Sequence, residues 1–165
     1  PSSRSPKGEG RTVVMATRLM FRHARMEDAA LLLGWRNDPV TREMSFNTRM
    51  ITMEEHLTWL VQQLMGRSKW IYMALKNEQP VGVIRAEERG NIVELHITIS
   101  PDHRGKGFST LAILWMMERL SIKKKLFVAR IKDINAPSIG AFLSAGFAEV
   151  ARAEGIVTMC RAPSL

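Results

Sequence analysis

The chain has 165 residues, of which 45% are hydrophobic and 24% are charged, and its formal net charge is +8. This length suits one globular domain that buries about two thirds of the surface of its unfolded chain. No run approaches the ~20 apolar residues of a membrane-spanning helix, and the polar start lacks the apolar core of a secretory signal. We therefore expect a soluble, cytoplasmic protein with no membrane partner.

Charge and cysteine content narrow the classes of partner. The single cysteine, Cys160, excludes an intrachain disulfide and a thiolate-rich zinc site, and we expect no metal. The positive charge suits an anionic partner such as nucleic acid, an acidic membrane surface or a phosphorylated ligand. The sequence shows no regular interleaving of aromatic and basic residues, so a nucleic-acid-binding module is the least favoured of these classes.

Composition along the chain indicates one domain behind a leader. Residues 1–14 are rich in Gly, Ser and Pro, which predicts a disordered leader or the remnant of an upstream extension, with Met15 as an alternative start. Residues 15–165 contain no internal repeat or low-complexity tract. We predict that they form a single domain.

The first elements of this domain are a strand and two helices. A strand over 19–23 leads into a helix over 28–35, which stops at an Asn-Asp-Pro sequence because proline disfavours helix in the residue before it. Thr52 and Glu55 have the spacing of a capping box, and the helix that they begin is expected to end at Gly66. The chain therefore opens in a β-to-α order.

Short turns join the next three strands, which predicts an antiparallel meander. The remaining order alternates helices and strands, with proline at the start of the second helix and a Glu-Gly turn in the last hairpin. The predicted elements are strands at 70–75, 81–87 and 92–98, a helix at 107–120, a strand at 126–131, a helix at 137–146, and a final pair of strands around 154–155.

Polar and apolar side chains alternate along the strand at 92–98. A period of two places Glu94, His96 and Thr98 on one face. A half-solvated strand shows the same alternation, so the pattern taken alone favours a structural role. Its position directly before a glycine-rich turn favours a functional one.

That turn consists of Arg104, Gly105, Lys106, Gly107, Phe108 and Ser109. Its glycines let the backbone approach a ligand, and the free amides and positive dipole end of the following helix attract phosphate oxygens. An ordinary glycine-rich turn would have the same composition, whereas the Walker and dinucleotide patterns fit poorly. We predict a phosphate-binding turn, followed by a helix that packs inward through Leu111, Leu114 and Trp115.

Two segments resemble motifs of the GCN5-related N-acetyltransferases (GNAT). The turn is similar to their Arg/Gln-x-x-Gly-x-Gly/Ala pyrophosphate motif, with Ser109 in the last small position. A later segment that runs from Asn135 through Ser138 to Phe147 resembles their Asn-x-x-Ser/Ala motif ending in Gly-Phe. The resemblance covers roughly 19–161. It implies an α/β (α+β) fold with a mixed, mostly antiparallel sheet that is flanked by helices and splayed between the strands at 92–99 and 126–131.

The resemblance also implies acetyl-coenzyme A as the acetyl donor, bound in the splay. Its pantetheine arm would pair with the backbone near Ile97 and Ile99, and its pyrophosphate would lie on the amides of 104–109. Asn135 would contact the cofactor or orient the later helix, with Ser138 and Phe142 on the same wall.

Direct attack by an amine on the thioester requires a base, because the ammonium form is not nucleophilic. Glu94 lies seven residues before Pro101, where many family members carry a catalytic glutamate, and His96 shares its face. Phe142 stands where many members have a tyrosine that protonates the leaving thiolate. Water, Ser138 or Tyr72 are the remaining sources of that proton, and a non-catalytic acetyl-coenzyme A sensor also stays open.

The early helices are expected to bind a small-molecule amine. Their pattern resembles a branch that acetylates nucleotide-linked amino sugars, and a neighbouring branch acetylates the N-termini of ribosomal proteins. Aromatic and basic side chains would stack on a base and hold a second pyrophosphate, although core packing or surface ion pairing explains each residue equally well. Family members commonly dimerise, which leaves a homodimer open. The candidate acceptor residues are Trp35, Arg36, Arg42, His56 and Trp59.

Overall fold

The computed structural model describes residues 18–163; the predicted leader at 1–14 and Met15 lie outside the described residues. This part of the chain contains seven strands and five α-helices. The strands are β1 (Met20–His23), β2 (Lys69–Lys76), β3 (Gln79–Arg89), β4 (Ile92–Ile99), β5 (Leu126–Lys132), β6 (Ala148–Ala153) and β7 (Ile156–Arg161). The helices are α1 (Ala29–Asn37), α2 (Pro39–Met44), α3 (Met53–Met65), α4 (Phe108–Leu120) and α5 (Ala136–Ser144). None of these helices is long and apolar enough to cross a membrane.

The strands form one sheet in the order β1-β2-β3-β4-β5-β7-β6. Every neighbouring pair is antiparallel except β4 and β5, which run parallel. The parallel pair is short, since its register runs only from Ile92↔Leu126 to Glu94↔Val128. Beyond Glu94 the two strands no longer pair, and the sheet opens. The predicted mixed, mostly antiparallel, splayed sheet is therefore confirmed.

Local sequence determines where α3 begins and ends. The Thr52 hydroxyl accepts a hydrogen bond from the Glu55 amide at 3.2 Å, and the Glu55 carboxylate accepts one from the Thr52 amide at 2.8 Å. This reciprocal arrangement satisfies amide groups that have no partner within the helix. Gly66 follows the last helical residue. The predicted capping box and helix are confirmed.

A short helix, α2, was not predicted. The Asn-Asp-Pro sequence ends α1 as expected, but Pro39 is also the first residue of α2 and Asp38 is its N-cap. The Asp38 carboxylate accepts a hydrogen bond from the Thr41 amide at 3.1 Å. Proline tolerates the first turn of a helix because its missing N–H has no partner there anyway.

Helices cover both faces of the sheet. On one face, α4 and α5 bury the main core against β3, β4, β5 and β7, and on the other face α1 and α3 pack on β2 and β3. The predicted alternation along β4 holds, because Val93, Leu95 and Ile97 pack in the core under α4 whereas His96 and Thr98 line cavities on the α1–α3 side.

The predicted inward face of α4 is wrong in part. Leu111 and Leu114 are 37% and 39% exposed, while the buried stripe runs through Ala112, Ile113 and Met116. Trp115 is half-buried and stacks on Phe21, a β1 residue, with ring centroids 4.1 Å apart. The helix is apolar around most of its circumference, so periodicity alone does not fix which stripe meets the sheet.

Candidate active site

The turn before α4 has the backbone shape that its glycines predict. Gly105 and Gly107 have φ angles of +73° and +77°, a region that other residues rarely adopt. Gly107 is the N-cap of α4 and forms no side-chain cap. A Cβ atom added at either glycine would meet no atom within 4 Å. The turn therefore presents the first amides of α4 to open space, as an anion site on a helix N-terminus requires.

The side chains of the turn do different things. Phe108 is 5% exposed and packs against Ala74 and Val81, so only its backbone is available to a ligand. Arg104 Nη2 donates to the Asp38 carboxylate at 2.5 Å and to the Thr41 hydroxyl at 3.0 Å. The hydrogen bond from Arg104 is the main reason that the pKa of Asp38 is lowered from its ordinary value. The turn is thus tied to the start of α2.

Most of the predicted cofactor residues meet around the splay between β4 and β5. One cavity, of about 210 Å³ and called here the turn cavity, lies beside the glycine-rich turn. Ile97, Asn135 and Ser138 also line the central cavity, which has a volume of about 320 Å³. The central cavity lies over the splay and includes His96, Arg130 and Phe142 in its wall. Predicted residues that line the turn cavity are Ile97, Ile99, Arg104, Ser109, Asn135 and Ser138.

Asn135 orients the later helix. It is the N-cap of α5, and its side-chain oxygen accepts a hydrogen bond from the Ser138 amide at 3.2 Å. Both residues line the turn and central cavities, so the cap also forms part of the wall. Of the two roles expected for Asn135, helix orientation is visible in the structure.

Glu94 is buried and already paired. Its side chain is 3% exposed and receives two hydrogen bonds from Arg130, from Nε at 3.1 Å and from Nη2 at 3.0 Å. His96 Nε2 lies 3.6 Å from the same carboxylate. A bidentate guanidinium fixes the orientation of the carboxylate that it contacts. Glu94 therefore supplies a fixed negative charge beside His96.

His96 is uncharged near neutral pH. Burial and the nearby charge of Arg85 lower its pKa to about 4, although the charge of Glu94 acts in the opposite direction. About a third of the side chain is still exposed, toward the central cavity. A neutral imidazole with access to the cavity is able to accept a proton.

Four of the five candidate acceptor residues, Arg36 among them, line a third cavity. This α1–α3 cavity has a volume of about 310 Å³ and contains Trp35, His56 and Trp59 in its wall. The rings of His56 and Trp59 stack with centroids 5.4 Å apart, and the Arg85 guanidinium lies 5.2 Å from the Trp59 ring centroid. The full wall consists of Leu32, Trp35, Arg36, Arg49, Ile51, Glu55, His56, Trp59, Val83, Arg85 and Thr98.

The α1–α3 cavity and the central cavity share three residues. Arg36, Arg85 and Thr98 line both, so the aromatic cavity adjoins the space that contains His96. Arg42 lies elsewhere, since it donates to the backbone oxygens of Asn37 and Thr48 and braces the segment after α2. The structure thus brings four of the five candidate acceptor residues together.

Sequence comparison settles the family. An acetyltransferase (GNAT) domain profile matches residues 18–148, which is well over half of the chain. The chain belongs to the GNAT acetyltransferase family. This membership makes it an acyltransferase that takes its acetyl group from acetyl-coenzyme A. Comparison with curated protein sequences gave no match.

Solved structures share the fold at low sequence identity. Spermidine N-acetyltransferase from Vibrio cholerae, in complex with CoA and spermine, has a TM-score of 0.79 and 15% identity over 90% of this chain and 97% of that one. The YncA protein from Salmonella typhimurium, with its cofactor acetyl-CoA, has a TM-score of 0.73 and 22% identity over 90% and 95%. Ribosomal-protein-alanine N-acetyltransferase from Brucella melitensis has a TM-score of 0.74 and 22% identity over 87% and 99%. At these identities the likeness shows the GNAT fold.

Two side chains bear on the general acid of this GNAT domain. Phe142 is 1% exposed and packs edge-on against Phe147, with ring centroids 4.9 Å apart. Tyr72 faces α4, on the opposite side of the sheet from His96, and its hydroxyl accepts a hydrogen bond from Arg119 at 2.6 Å. Tyr72 therefore does not reach the cavities, and Ser138 and water remain.

Sequence reasoning missed Arg85 and Arg130 in this GNAT domain. Each stands alone as a charge among mostly apolar strand neighbours, and a period of two places Arg130 with Val128, on the face that carries Glu94. An isolated arginine inside a buried strand was the available signal. It did not indicate which side chain on another strand the guanidinium would meet.

Proposed function

We propose that the protein acetylates the primary amine of a nucleotide-linked amino sugar, with acetyl-coenzyme A as donor. The observation that carries the proposal is the α1–α3 cavity, whose wall combines Trp35, His56 and Trp59 with arginines and adjoins the space containing His96. Aromatic faces suit stacking on a base or a sugar ring, and guanidinium groups suit phosphate. An acceptor bound there would extend its amine toward β4.

The donor site fits the residues around the splay. The amides at the start of α4 would hold the pyrophosphate, and the unpaired edge of β4 near Ile97 and Ile99 would pair with the pantetheine arm. When bound, acetyl-coenzyme A supplies the thioester whose acetyl group is transferred. The acceptor would enter from the α1–α3 side of the sheet and the donor from the splay.

His96 and Glu94 have different roles in deprotonating the acceptor amine. The neutral imidazole of His96 takes a proton from the acceptor ammonium, and the fixed charge of Glu94, 3.6 Å away, stabilises the imidazolium that results. The freed amine attacks the acetyl carbon, so a C–N bond forms as the C–S bond breaks, and the second proton that the nitrogen loses passes to the leaving thiolate. Holding the two substrates together contributes up to about 7–11 kcal/mol in ideal intramolecular cases.

The leaving thiolate receives no proton from Phe142. Ser138 lines the central and turn cavities, and its hydroxyl, or a water molecule beside it, is the proposed proton source. A thiolate is a better leaving group than an amine, so this proton transfer is less critical than deprotonation of the acceptor. Catalysis therefore depends more on His96 and Glu94 than on an acid.

The alternatives differ in their acceptor. One is N-terminal acetylation of a protein, the reaction class to which the ribosomal-protein-alanine N-acetyltransferase of Brucella melitensis belongs by its name. The other is a sensor that binds acetyl-coenzyme A without turnover, for which Phe142 is the best argument. The guanidinium groups in the α1–α3 cavity favour a phosphate-bearing acceptor over both.

The test is calorimetric titration with acetyl-coenzyme A, followed by thiol release against nucleotide-linked amino sugars, peptide N-termini and polyamines. We expect saturable binding and turnover on the amino sugars. Turnover on peptides alone would mean that the acceptor is a protein N-terminus. Binding of acetyl-coenzyme A without turnover on any amine would favour the sensor. The matched control is Arg152→Gln, which removes an arginine from the exposed strand β6 and is expected to leave every rate unchanged.

A further inference from the structure

Two arginines stand on the wall that the α1–α3 cavity and the central cavity share. Arg36 belongs to α1 and Arg85 to β3, and both side chains are half-buried. Within residues 18–163, neither guanidinium forms a salt bridge with a carboxylate. Charges removed from water are normally paired with an opposite charge. These two are therefore an exception that requires a reason.

The acidic side chains near the shared wall are already paired. Each contacts an arginine other than Arg36 or Arg85, so none is free to neutralise them. The pairs are Glu55–Arg49 at 2.8 Å, Glu94–Arg130 at 3.0 Å and Glu87–Arg89 at 3.1 Å.

Burial and neighbouring positive charge destabilise both cations. Burial and the charge of Arg36 lower the pKa of Arg85 to about 10, against the opposing influence of Glu87 and Glu94. Burial also lowers the pKa of Arg36, as do two other arginine charges. An anion placed between Arg36 and Arg85 would relieve this repulsion and satisfy both guanidinium groups.

Two buried polar atoms of the α1–α3 cavity have no hydrogen-bond partner among residues 18–163. They are Nη1 of Arg36, whose Nη2 donates to the Asn47 backbone oxygen at 2.6 Å, and Nε2 of His56, a residue that is 3% exposed. Buried polar atoms are nearly always bonded in folded proteins. Burial lowers the pKa of His56, so its ring is neutral and offers a polar contact without adding charge.

We propose that Arg36 and Arg85 form an anion subsite that binds a phosphate group of the acceptor. This inference rests on the proposed function, because it names the group by which that acceptor is recognised. The planar fork of a guanidinium matches two phosphate oxygens, and both arginines lie beside the central cavity. The phosphate would therefore be held close to the amine that reacts.

Selectivity follows from the sign of this charge. A polyamine brings positive charge to a wall that carries two unpaired cations, so its binding is opposed, whereas a phosphate-bearing amine is attracted. Spermine, which is bound in the Vibrio cholerae neighbour, would be a poor ligand of this chain.

The test measures binding of inorganic pyrophosphate to the full chain saturated with coenzyme A, by calorimetry. Saturation occupies the pyrophosphate site at the glycine-rich turn, so further binding reports a second site. We expect one further site in the wild type, with an affinity at least ~10-fold weaker in Arg36→Gln and in Arg85→Gln. Arg152→Gln, the matched control on β6, should bind as the wild type does.

Three results would overturn the subsite: no pyrophosphate binding to the coenzyme A complex, equal affinity in the folded arginine variants, or tighter binding of malonate than of pyrophosphate. Arg36→Gln alone carries the test if Arg85→Gln does not fold, and thermal denaturation of each variant decides that. Turnover is measured separately. Pyrophosphate binding that depends on Arg36 without turnover on amino sugars would support the subsite while the proposed reaction fails.

Discussion

The glycine-rich turn and the α1–α3 cavity are built in opposite ways. The turn is a single run of six residues that offers backbone amides, and its one buried side chain, Phe108, points away into the core. The cavity is assembled from side chains on α1, α3, β3 and β4 and from the segment between α2 and α3. A site made of backbone has the same shape in many sequences, whereas a site made of side chains changes with each substitution. If the turn binds the donor and the cavity binds the acceptor, as proposed, the donor site is general and the acceptor site specific.

If side chains form the acceptor site, Glu94→Gln should lower turnover far more than it weakens donor binding. The variant removes the charge that stabilises protonated His96 and leaves Arg130 without its carboxylate, so we expect kcat to fall about 100-fold or more. The acetyl-coenzyme A dissociation constant should change by less than about twofold. Steady-state thiol release and calorimetry measure the two quantities.

The control for Glu94→Gln is Glu149→Gln, which breaks an ion pair on the exposed strand β6 and should leave both quantities unchanged. A Glu94→Gln enzyme with a normal rate at every pH would remove Glu94 from the mechanism.

If backbone amides form the donor site, Gly107→Val should weaken donor binding. A valine at a φ of +77° costs about 1–2 kcal/mol of strain, and its side chain enters the space in front of the α4 amides. We expect acetyl-coenzyme A to bind about tenfold more weakly, measured by calorimetry. Gly140→Ala in α5 is the matched control, because its backbone is helical and affinity should not change. Equal affinity in Gly107→Val would mean that the donor does not use this turn.

The neutral state of His96 predicts how stability depends on pH. Its pKa is about 4 in the folded protein against an ordinary 6.5, so between these values the unfolded chain binds more protons. Stability is therefore lost as pH falls from 6.5 toward 4. Because the side chain is a third exposed, we expect a contribution on the order of 1 kcal/mol.

Urea unfolding at pH 7 and pH 5 measures this effect. His96→Gln should lose less stability than the wild type between the two pH values, and Thr98→Val, a variant without a titrating group on the same face of β4, should lose as much as the wild type. If His96→Gln lost as much stability between pH 7 and pH 5 as the wild type does, the result would contradict a buried, neutral imidazole at His96.

The smallest expected effect concerns the ion pair between Asp38 and Arg104, which connects the start of α2 to the glycine-rich turn. Asp38→Asn keeps an N-cap of equal quality for α2 but removes the charge that holds Arg104. We expect the freed Arg104 to strengthen acetyl-coenzyme A binding two- to fivefold, corresponding to roughly 0.5–1 kcal/mol from an ion pair near the surface. Calorimetry measures this change. Weaker binding would mean instead that Asp38 aims Arg104 at the donor.

Asp38→Ala separates capping from charge. It removes both, and the lost cap should lower the free energy of unfolding by about 1 kcal/mol relative to Asp38→Asn. Urea unfolding of the two variants measures that difference.

Sequence alone predicted the parts that depend on local rules. The capping box at Thr52 and the alternation along β4 each follow from a few neighbouring residues. The order of strands and helices followed from turns and periodicity. The splay was expected only from the family resemblance, because no local pattern indicates where two parallel strands stop pairing.

The parts that sequence did not predict depend on which elements meet. Arg130 reaches Glu94 across the parallel pair, and Arg104 reaches Asp38 over 66 positions of chain. Leu111 and Leu114 are exposed because an almost wholly apolar helix fits the sheet by shape rather than by polarity. Such contacts are set by tertiary packing, which a single sequence does not reveal.

The alternation along β4 makes one kind of genetic change far more damaging than another. A substitution at Glu94 alters one side chain, but insertion of a single codon before it would exchange the two faces of the rest of the strand. Glu94 and His96 would then be driven into the apolar core under α4, and the apolar side chains of Leu95 and Ile97 would face the α1–α3 side of the sheet. We therefore expect related genes to vary in residue identity along this strand while keeping its length fixed.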